Sequence, residues 1–176
     1  EGRKTGGGDA GDIDLLLKRS SDGGETWTNA QVLWDDGENT CGNPCPVVDR
    51  DTGVIWLLAT HNPGKASEKD IRTGTTSGGR TVWLLHSGDH GATWSAPGEI
   101  TATTKDPSWG WYATGPGIGI QIKHGPHAGR LVIPCDHSYT TSESGEPEHG
   151  SHAIYSDDHG ATWQLGGTIR PGLEEC

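Results

Sequence analysis

The chain has 176 residues, a length that fits one modest globular domain. Its 24 aspartates and glutamates outnumber its 13 lysines and arginines, and the formal net charge of −11 excludes a general role in binding nucleic acids or anionic membranes. Glycine is abundant with 29 residues and tryptophan is frequent with 8, while methionine and phenylalanine are absent. The apolar runs are short, alternate with polar residues and end at glycine, proline, aspartate or asparagine, which predicts an all-β fold.

The start of the chain gives no direct signal of localisation. It begins at Glu1, without an initiator methionine, a signal peptide or an apolar segment long enough to span a bilayer. We therefore expect either a processed product or a piece of a longer protein.

The predicted elements are short strands separated by turns and polar loops. In the first half they are an irregular start (1–12), a strand (13–19), a motif segment (20–27), an outgoing strand (31–34), a loop (35–45), a hairpin with a glycine turn (45–49 and 54–59) and a long surface loop (61–80). In the second half they are a strand (81–86), a motif segment (87–94), a hairpin (117–122 and 130–134), a polar loop (138–150), a strand (152–155) and a motif segment (156–163).

Three segments share the pattern Ser-x-Asp-x-Gly-x-Thr-Trp: residues 20–27, 87–94 and 156–163. Their tryptophans lie 67 and 69 residues apart, which indicates an internal repeat. The aspartate can accept hydrogen bonds from backbone N–H groups that follow it, and the glycine adopts a positive φ at low cost. The threonine hydroxyl can tie the far side of the loop while the tryptophan ring packs under the hairpin. We therefore predict a stapled hairpin corner, which is a structural element and not a catalytic one.

One repeat combines a plain hairpin with a motif hairpin, giving four antiparallel strands in about 68 residues, which is typical of a β-propeller blade. Two full blades and parts of their neighbours fit into the chain, about two and a half to three blades in all. A propeller ring usually needs at least about four blades. We therefore expect residues 1–176 to be part of a propeller, completed by further chain or, alternatively, by partner chains.

The repeated motif resembles the Asp-box of the sialidase (neuraminidase) family, whose fold is a six-bladed β-propeller. Other segments resemble bacterial-type sialidases in the same order: 1–3 with Asp9, 11–15, 42–49, 111–117, 129–137 and 174–176. The last segment resembles the family's Asn-Glu-Cys or Asp-Glu-Cys element, with a glutamate in place of its first residue. The resemblance covers the whole chain and implies an exo-α-sialidase that acts on sialylated glycans without a cofactor. It also implies an extracellular, periplasmic or lysosomal parent protein.

The resemblance implies a retaining glycosidase with an unusual nucleophile. Sialidases use a tyrosine, and a neutral phenol suits an anomeric carbon that already bears a carboxylate. By position, Asp9 resembles the general acid/base, Glu175 the glutamate that activates the tyrosine, and Arg3 an active-site arginine. The competing assignments are Asp12 or Asp14 for the acid and Glu174 for the base.

Further candidates follow strand ends or loops that would face the mouth of a propeller, where they could contact the N-acetyl or glycerol part of the sugar. Scaffold packing or a solvated loop is the alternative for each. These candidates are Asn62, Trp111, Tyr112, Asp136, His137 and Tyr139.

Two parts of the family's machinery are missing from the chain. It contains no Arg-Ile-Pro element, and all its tyrosines precede Glu175, whereas the nucleophile should follow it. We therefore predict that this chain alone is inactive. Two alternative functions stay open: a non-catalytic carbohydrate-binding or scaffold propeller with the same Asp-boxes, and a propeller glycosidase with paired carboxylates.

The histidines and cysteines give no metal-site pattern. The nine histidines show no compact ligand spacing, so no metal site is predicted. The four cysteines also lack the spacing of a metal finger. Cys41 and Cys45 could form a small local disulfide, and buried free thiols are the alternative.

Overall fold

The computed structural model describes residues 1–4, 8–76, 79–140 and 145–169. The strands are β1 (Gly2–Arg3), β2 (Ile13–Leu17), β3 (Gln31–Trp34), β4 (Thr40–Val48), β5 (Ile55–Asn62), β6 (Thr81–Ser87), β7 (Gly98–Glu99), β8 (Tyr112–Thr114), β9 (Ile120–Gln121), β10 (Leu131–Thr140), β11 (Pro147–Ser156) and β12 (Gln164–Ile169). The helices are α1 (Glu68–Thr73) and α2 (Thr101–Thr104). Neither described helix has the length and apolarity needed to cross a membrane.

The strands form two blades and part of a third. β4, β5, β6 and β7 pair in sequence as one antiparallel four-stranded blade. β12, β11 and β10 form the next blade, with β8 and β9 both pairing with β10. β1, β2 and β3 form a three-stranded part that joins the first blade through a single parallel pair, Ile13 with Thr40. The all-β fold and the open set of propeller blades are thus confirmed.

The core lies between the blades, and strand alternation explains why the central strands are apolar on both faces. Leu57 packs with Leu15 and Cys41 against the three-stranded part. Leu58, the next residue, packs with the second blade in a cluster that includes Leu131 and other buried residues. Successive side chains of a strand point to opposite faces. A strand covered on both sides therefore reads as a continuous apolar run, as 54–59 does.

The three Asp-boxes are stapled turns, as predicted. In each box the serine hydroxyl donates to the aspartate at 2.7–2.8 Å, and the threonine N–H donates to the same aspartate oxygen at 2.8–3.0 Å. The threonine hydroxyl donates to the second aspartate oxygen at 2.5–2.6 Å. The tryptophan Nε1 donates to the glycine carbonyl at 3.0–3.3 Å. The boxes link β2 to β3, β6 to β7 and β11 to β12.

Three predicted loops are shorter than expected or contain regular structure. The segment 61–80 holds α1, β4 already begins at Thr40, and β10 and β11 extend into 138–150. Long β10–β11 pairing runs from Leu131 with Ser156 to Thr140 with Pro147, so polar residues there are strand residues. They read as a loop because the ends of these strands carry polar side chains instead of an apolar alternation.

The local disulfide does not form: Cys41, Cys45 and Cys135 are buried free thiols. The physical reason is a register shift in β4 between Gly42 and Cys45, which interrupts the regular alternation of side chains. Cys41 packs on the three-stranded part and Cys45 packs towards the second blade, so the two side chains point to opposite faces of β4. Burial raises the pKa of Cys41 to about 12 and that of Cys45 to about 11.

Candidate functional site

A polar cavity lies at the end of the blades opposite the Asp-boxes. In the first blade, β5 runs antiparallel to β6, with His61 opposite Thr81 and Ile55 opposite Ser87. The chain after β5 carries α1, whereas the chain after β6 carries an Asp-box, so the two lie at opposite ends. The cavity has a volume of about 230 Å³. Its lining comprises Asp9, Asn43, Glu68, Arg72, Trp111, Ala113, Pro116, Asp136 and His149.

Asp9 enters the cavity as part of an ionic network. Arg3 Nη2 donates to Asp9 Oδ1 and to Glu1 Oε2, both at 2.8 Å, and Arg3 Nη1 also bonds the Gly8 carbonyl. Glu1 is held in turn by the Asn43 backbone N–H at 2.6 Å. The hydrogen bond to Asp9 is the largest cause of the raised pKa of Arg3. The Asp9 side chain keeps 51% exposure, so one carboxylate is both oriented and open to a ligand.

Asp12 and Asp14, the sequence competitors of Asp9, do not line the cavity. Lys4 Nζ lies 3.1 Å from Asp12, 3.0 Å from Asp14 and 3.4 Å from Asp35. Hydrogen bonding to Asp14 and then to Asp12 raises the pKa of Lys4. These carboxylates therefore anchor the segment before β2, and the structure singles out Asp9 as the aspartate of this segment that reaches the cavity.

The helix α1 supplies two charged residues of the rim, Glu68 and Arg72, which the sequence reasoning missed. Ser67 caps the helix: its hydroxyl accepts from the Asp70 N–H, and the Asp70 carboxylate accepts from the Ser67 N–H. This is a capping box, and Gly74 ends the helix in the left-handed conformation. The Ser-x-x-Asp spacing with a following glycine is the sequence signal that could have revealed it.

Gly110 lets the helix α1 approach the segment that carries Trp111, one wall of the cavity. A Cβ at this position would lie 2.7 Å from the Ile71 carbonyl oxygen and 3.0 Å from that of Arg72. The next residue, Trp111, is fixed through its backbone: its N–H donates to Ser138 Oγ at 2.8 Å, and its carbonyl accepts from the Ser138 N–H. Trp111 also packs with Ile71 of the helix. Trp111, which forms one wall of the cavity, and the helix that carries Glu68 and Arg72 are thus one packed unit.

Four predicted site residues lie elsewhere. Asn62 is fully buried and donates to the Pro63 carbonyl, and the fully buried Tyr112 hydroxyl donates to the Thr104 carbonyl at 3.3 Å. His137 is fully buried and stacks on Trp109 at 3.6 Å between ring centroids. Tyr139 donates to Glu148 at 3.2 Å.

Strand alternation explains part of this division. Trp111 and Asp136 line the cavity while their neighbours Tyr112 and His137 point into the core. These contacts agree with scaffold packing, the alternative given for these residues, and their role in substrate binding stays a prediction. Glu174 and Glu175 lie outside the described residues.

One group of side chains has the spacing of metal ligands within the described ranges. Oxygen and nitrogen atoms of Asp49, Asp51 and His159 lie within 4.8 Å of one another. Both oxygens of the buried Asp49 already accept hydrogen bonds, Oδ1 from Gln121 at 2.8 Å and Oδ2 from Thr52 at 2.7 Å and from His159 at 2.9 Å. The group acts as a hydrogen-bonded junction between the two blades.

The geometry defines what the cavity can do chemically. It offers an exposed carboxylate beside a guanidinium, further charges of both signs and one aromatic wall. Such a lining suits a small polar ligand that is held by directed hydrogen bonds. An aspartate in this setting can donate or accept a proton at a bound molecule.

Comparison with known proteins gives a consistent family. Residues 4–176 match the model of the BNR repeat-like domain. The chain is 35% identical over 185 residues to the sialidase of Micromonospora viridifaciens, covering 99% of this chain and 27% of that protein. It is 33% identical to the sialidase of Bacteroides fragilis, covering 93% of this chain and 31% of that protein.

A solved structure supports the same grouping. The Hadza microbial sialidase Hz136 superposes with a TM-score of 0.71 at 30% identity, covering 89% of this chain and 31% of that one. The chain thus spans less than a third of the length of these three relatives. The repeated Asp-boxes, the open blades and these similarities together show that the chain belongs to the BNR-repeat family of sialidase-type β-propellers.

Proposed function

We propose that residues 1–176 form part of the catalytic propeller of an exo-α-sialidase, which removes terminal sialic acid from glycans with retention of configuration. The observation that carries the proposal is Asp9: its carboxylate is oriented by Arg3 at 2.8 Å and is exposed at a polar cavity of about 230 Å³. The relatives named sialidases, similar over nearly the whole chain, support the same activity.

In this proposal Asp9 is the general acid/base. Departure of the aglycone leaves negative charge on the glycosidic oxygen, and a nearby carboxylic acid removes that charge by giving up its proton. Arg3 positions the carboxylate through the hydrogen bond to Oδ1, and Glu1 fixes Arg3 from the other side. Glu175 is proposed as the base for the tyrosine nucleophile. That tyrosine and the arginines for the substrate carboxylate are proposed to lie outside this chain.

The proposal also includes completion of the propeller. Several large apolar side chains of the described residues are exposed, among them Trp27 at 61%, Ile118 at 69% and Ile169 at 59%. A blade face of this kind is covered in a closed ring. We propose further blades of a six-bladed ring as the cover and, consequently, no sialidase activity for residues 1–176 by themselves.

The test compares leaving groups in the full-length protein that contains this chain. Asp9→Asn is expected to reduce kcat/KM, which reports formation of the glycosyl-enzyme, by about 10²–10⁴-fold on a sialyllactose, whose leaving group needs protonation. The loss should be much smaller on a fluorogenic aryl sialoside, because a phenolate leaves without an acid. Asp12→Asn is the matched control, since Asp12 pairs with Lys4 away from the cavity.

Three results would contradict the proposal. They are equal losses on both substrates for Asp9→Asn, a loss for Asp12→Asn as large as that for Asp9→Asn, and binding of sialosides without hydrolysis by the full-length protein. The last result would indicate a carbohydrate-binding propeller. Proton NMR of the first-formed sialic acid anomer checks retention. Hydrolysis by purified residues 1–176 would contradict the proposal that the tyrosine nucleophile and the carboxylate-binding arginines lie outside this chain.

A further inference from the structure

Arg80 is a buried arginine directly behind the cavity wall. The residue precedes β6 and is only 1% exposed, which places it among the largest fully buried side chains of the described residues. Its guanidinium carbon lies 3.7 Å from the centroid of the Trp111 ring. Nε and Nη1 are buried and have no hydrogen-bond partner. Among the residues that the structure describes, no carboxylate lies within ion-pair distance of the guanidinium.

A buried charge without an ion-pair partner destabilises the fold unless other groups compensate it. Removing a charged side chain from water without pairing it costs several kcal/mol, and arginine does not escape by losing its proton at neutral pH. Burial lowers the pKa of Arg80 to about 10, which still leaves it charged. The opposing influences come from Asp9, Asp136, Glu1 and Glu68, in that order. Three of these carboxylates line the cavity, and the fourth orients Arg3.

The position of Arg80 relative to Trp111 is fixed by a third residue. Lys105 Nζ donates to the Arg80 carbonyl at 2.7 Å and to the Gly110 carbonyl at 2.9 Å. One amine therefore ties the backbone that carries the guanidinium to the backbone that precedes the indole. Burial, and then the charge of Arg80, lowers the pKa of Lys105 to about 8. Because Ser138 also clamps the Trp111 backbone, the stacked pair is held from both sides.

We propose that Arg80 is a positioning residue of the sialidase site, acting through Trp111. The guanidinium holds the indole in place as a wall of the cavity, and the carboxylates of Asp9, Glu68 and Asp136 around that cavity partly compensate its buried charge. The planar cation is suited to this position because it stacks on an aromatic face and is weakly hydrated. This inference rests on the proposed function.

The first test is a double-mutant cycle in the full-length protein, using kcat/KM for a fluorogenic sialoside. Arg80→Met keeps much of the volume but removes the charge and the planar stack, and we expect kcat/KM to fall about tenfold to a hundredfold. Trp111→Leu should give a similar loss. Because the arginine acts through the indole, the double variant should lose little more than Trp111→Leu alone. Arg80→Lys, which restores the charge without the stack, should recover only part of the activity.

Arg130 provides the matched control. Its guanidinium carbon also lies over an aromatic ring, 4.0 Å from the Tyr155 centroid, but it forms a surface ion pair with Asp157 at 2.7 Å. Arg130→Met should leave kcat/KM within about twofold of the wild type, as expected for a surface pair. The inference is overturned if Arg80→Met also stays within twofold, or if the losses of Arg80→Met and Trp111→Leu multiply in the double variant.

A spectroscopic measurement separates this inference from the proposed function. The protein is labelled with 5-fluorotryptophan, and the Trp111 resonance is assigned by its disappearance in Trp111→Leu. We expect the ¹⁹F resonance of Trp111 to shift or broaden in Arg80→Lys, which keeps the buried charge, and to stay unchanged in Arg130→Met. An unchanged resonance in Arg80→Lys overturns the positioning role. Wild-type protein without sialidase activity, but with this shift, overturns the proposed function and leaves the Arg80–Trp111 contact established.

Discussion

The first and third Asp-boxes have the same internal hydrogen bonds but opposite burial. Trp27 of the first box is 61% exposed, whereas Trp163 of the third box is 2% exposed. A Cβ at Gly24 would meet only the ring of Trp27 itself, at 3.8 Å, while a Cβ at Gly160 would overlap the Trp56 ring of the preceding blade. The hydrogen bonds within the motif therefore form the turn, and packing against the preceding blade determines how much of the turn is buried.

The second box is intermediate, as this explanation requires. A Cβ at Gly91 would lie 3.8 Å from Leu17, the last residue of β2, and from Arg19 just after it, and Trp94 is half-buried. Each of these two boxes rests on the blade before it. In the described part of the chain, no blade precedes the three-stranded part that carries the first box.

The largest expected difference between the boxes concerns their tryptophans. Trp163→Ala should reduce the free energy of unfolding by about 3–5 kcal/mol, because it empties a buried site between two blades. Trp27→Ala should reduce it by less than about 1 kcal/mol, since the ring is mostly in water. Urea unfolding of residues 1–176 measures both. Equal losses would show that the tryptophan acts only within its own turn.

The glycines should show a smaller difference of the same sign. Gly160→Ala adds a methyl group against Trp56 at a residue with φ of 91°, and we expect a loss of about 2–4 kcal/mol. Gly24→Ala, at a φ of 96°, meets the same backbone restriction without the clash and should cost about 1 kcal/mol. Urea midpoints at constant slope give the comparison. A Gly24→Ala loss as large as that of Gly160→Ala contradicts the role of the neighbouring blade.

The histidines at the fourth position of the boxes differ by one contact. His159 and His90 both have a φ of 59°, but His159 Nδ1 lies 2.9 Å from the buried Asp49 carboxylate of the preceding blade. His159→Ala should therefore cost about 1.5–3 kcal/mol, the value of a hydrogen bond to a charged group. His90→Ala is the control with matched backbone strain and should change stability by less than about 0.5 kcal/mol. Similar losses for the two variants would show that the contact is energetically neutral.

The response to acid should be shared by the boxes, because it arises inside the turn. Hydrogen bonds from Ser20 and Thr26 lower the pKa of Asp22, and those from Thr93 and Ser87 lower the pKa of Asp89. A carboxyl group with a lowered folded-state pKa contributes stability above its unfolded pKa of about 3.9 and loses it as the pH falls further. We expect the urea midpoint to decrease as the pH is lowered from about 5 to about 2. The midpoint of Asp22→Asn should decrease less steeply with pH, and an unchanged pH dependence would contradict this explanation.

Much of the fold could be predicted from the sequence because the residues that form each Asp-box turn lie next to one another in the chain. The Asp-box specifies its own turn through serine, aspartate, glycine and threonine, and its spacing counts the blades. The helix α1 was missed since its six residues have only a short capping signal, and Ile71 docks it against Trp111. A docked helix of this length depends on contacts that a sequence pattern does not display.

The candidate site was predictable to a smaller extent. Family resemblance led to Asp9 and Arg3; Asp9 lines the cavity, and Arg3 forms an ion pair with it. Choosing Trp111 over Tyr112 requires knowing which face of a strand is the cavity face, since both neighbours are aromatic. Arg80 does not lie in any motif that the sequence analysis recognised. Its importance is visible only from its burial and its position against the indole.

The most direct test of blade-dependent burial is hydroxyl-radical footprinting of the tryptophans, read out by mass spectrometry. Residues 1–176 are compared with the full-length protein that contains them, and Trp163 serves as the internal reference. We predict that Trp27 is oxidised rapidly in residues 1–176 and is protected to the level of Trp163 in the full-length protein. Rapid oxidation of Trp27 in both proteins would contradict the claim that a preceding blade covers the first Asp-box.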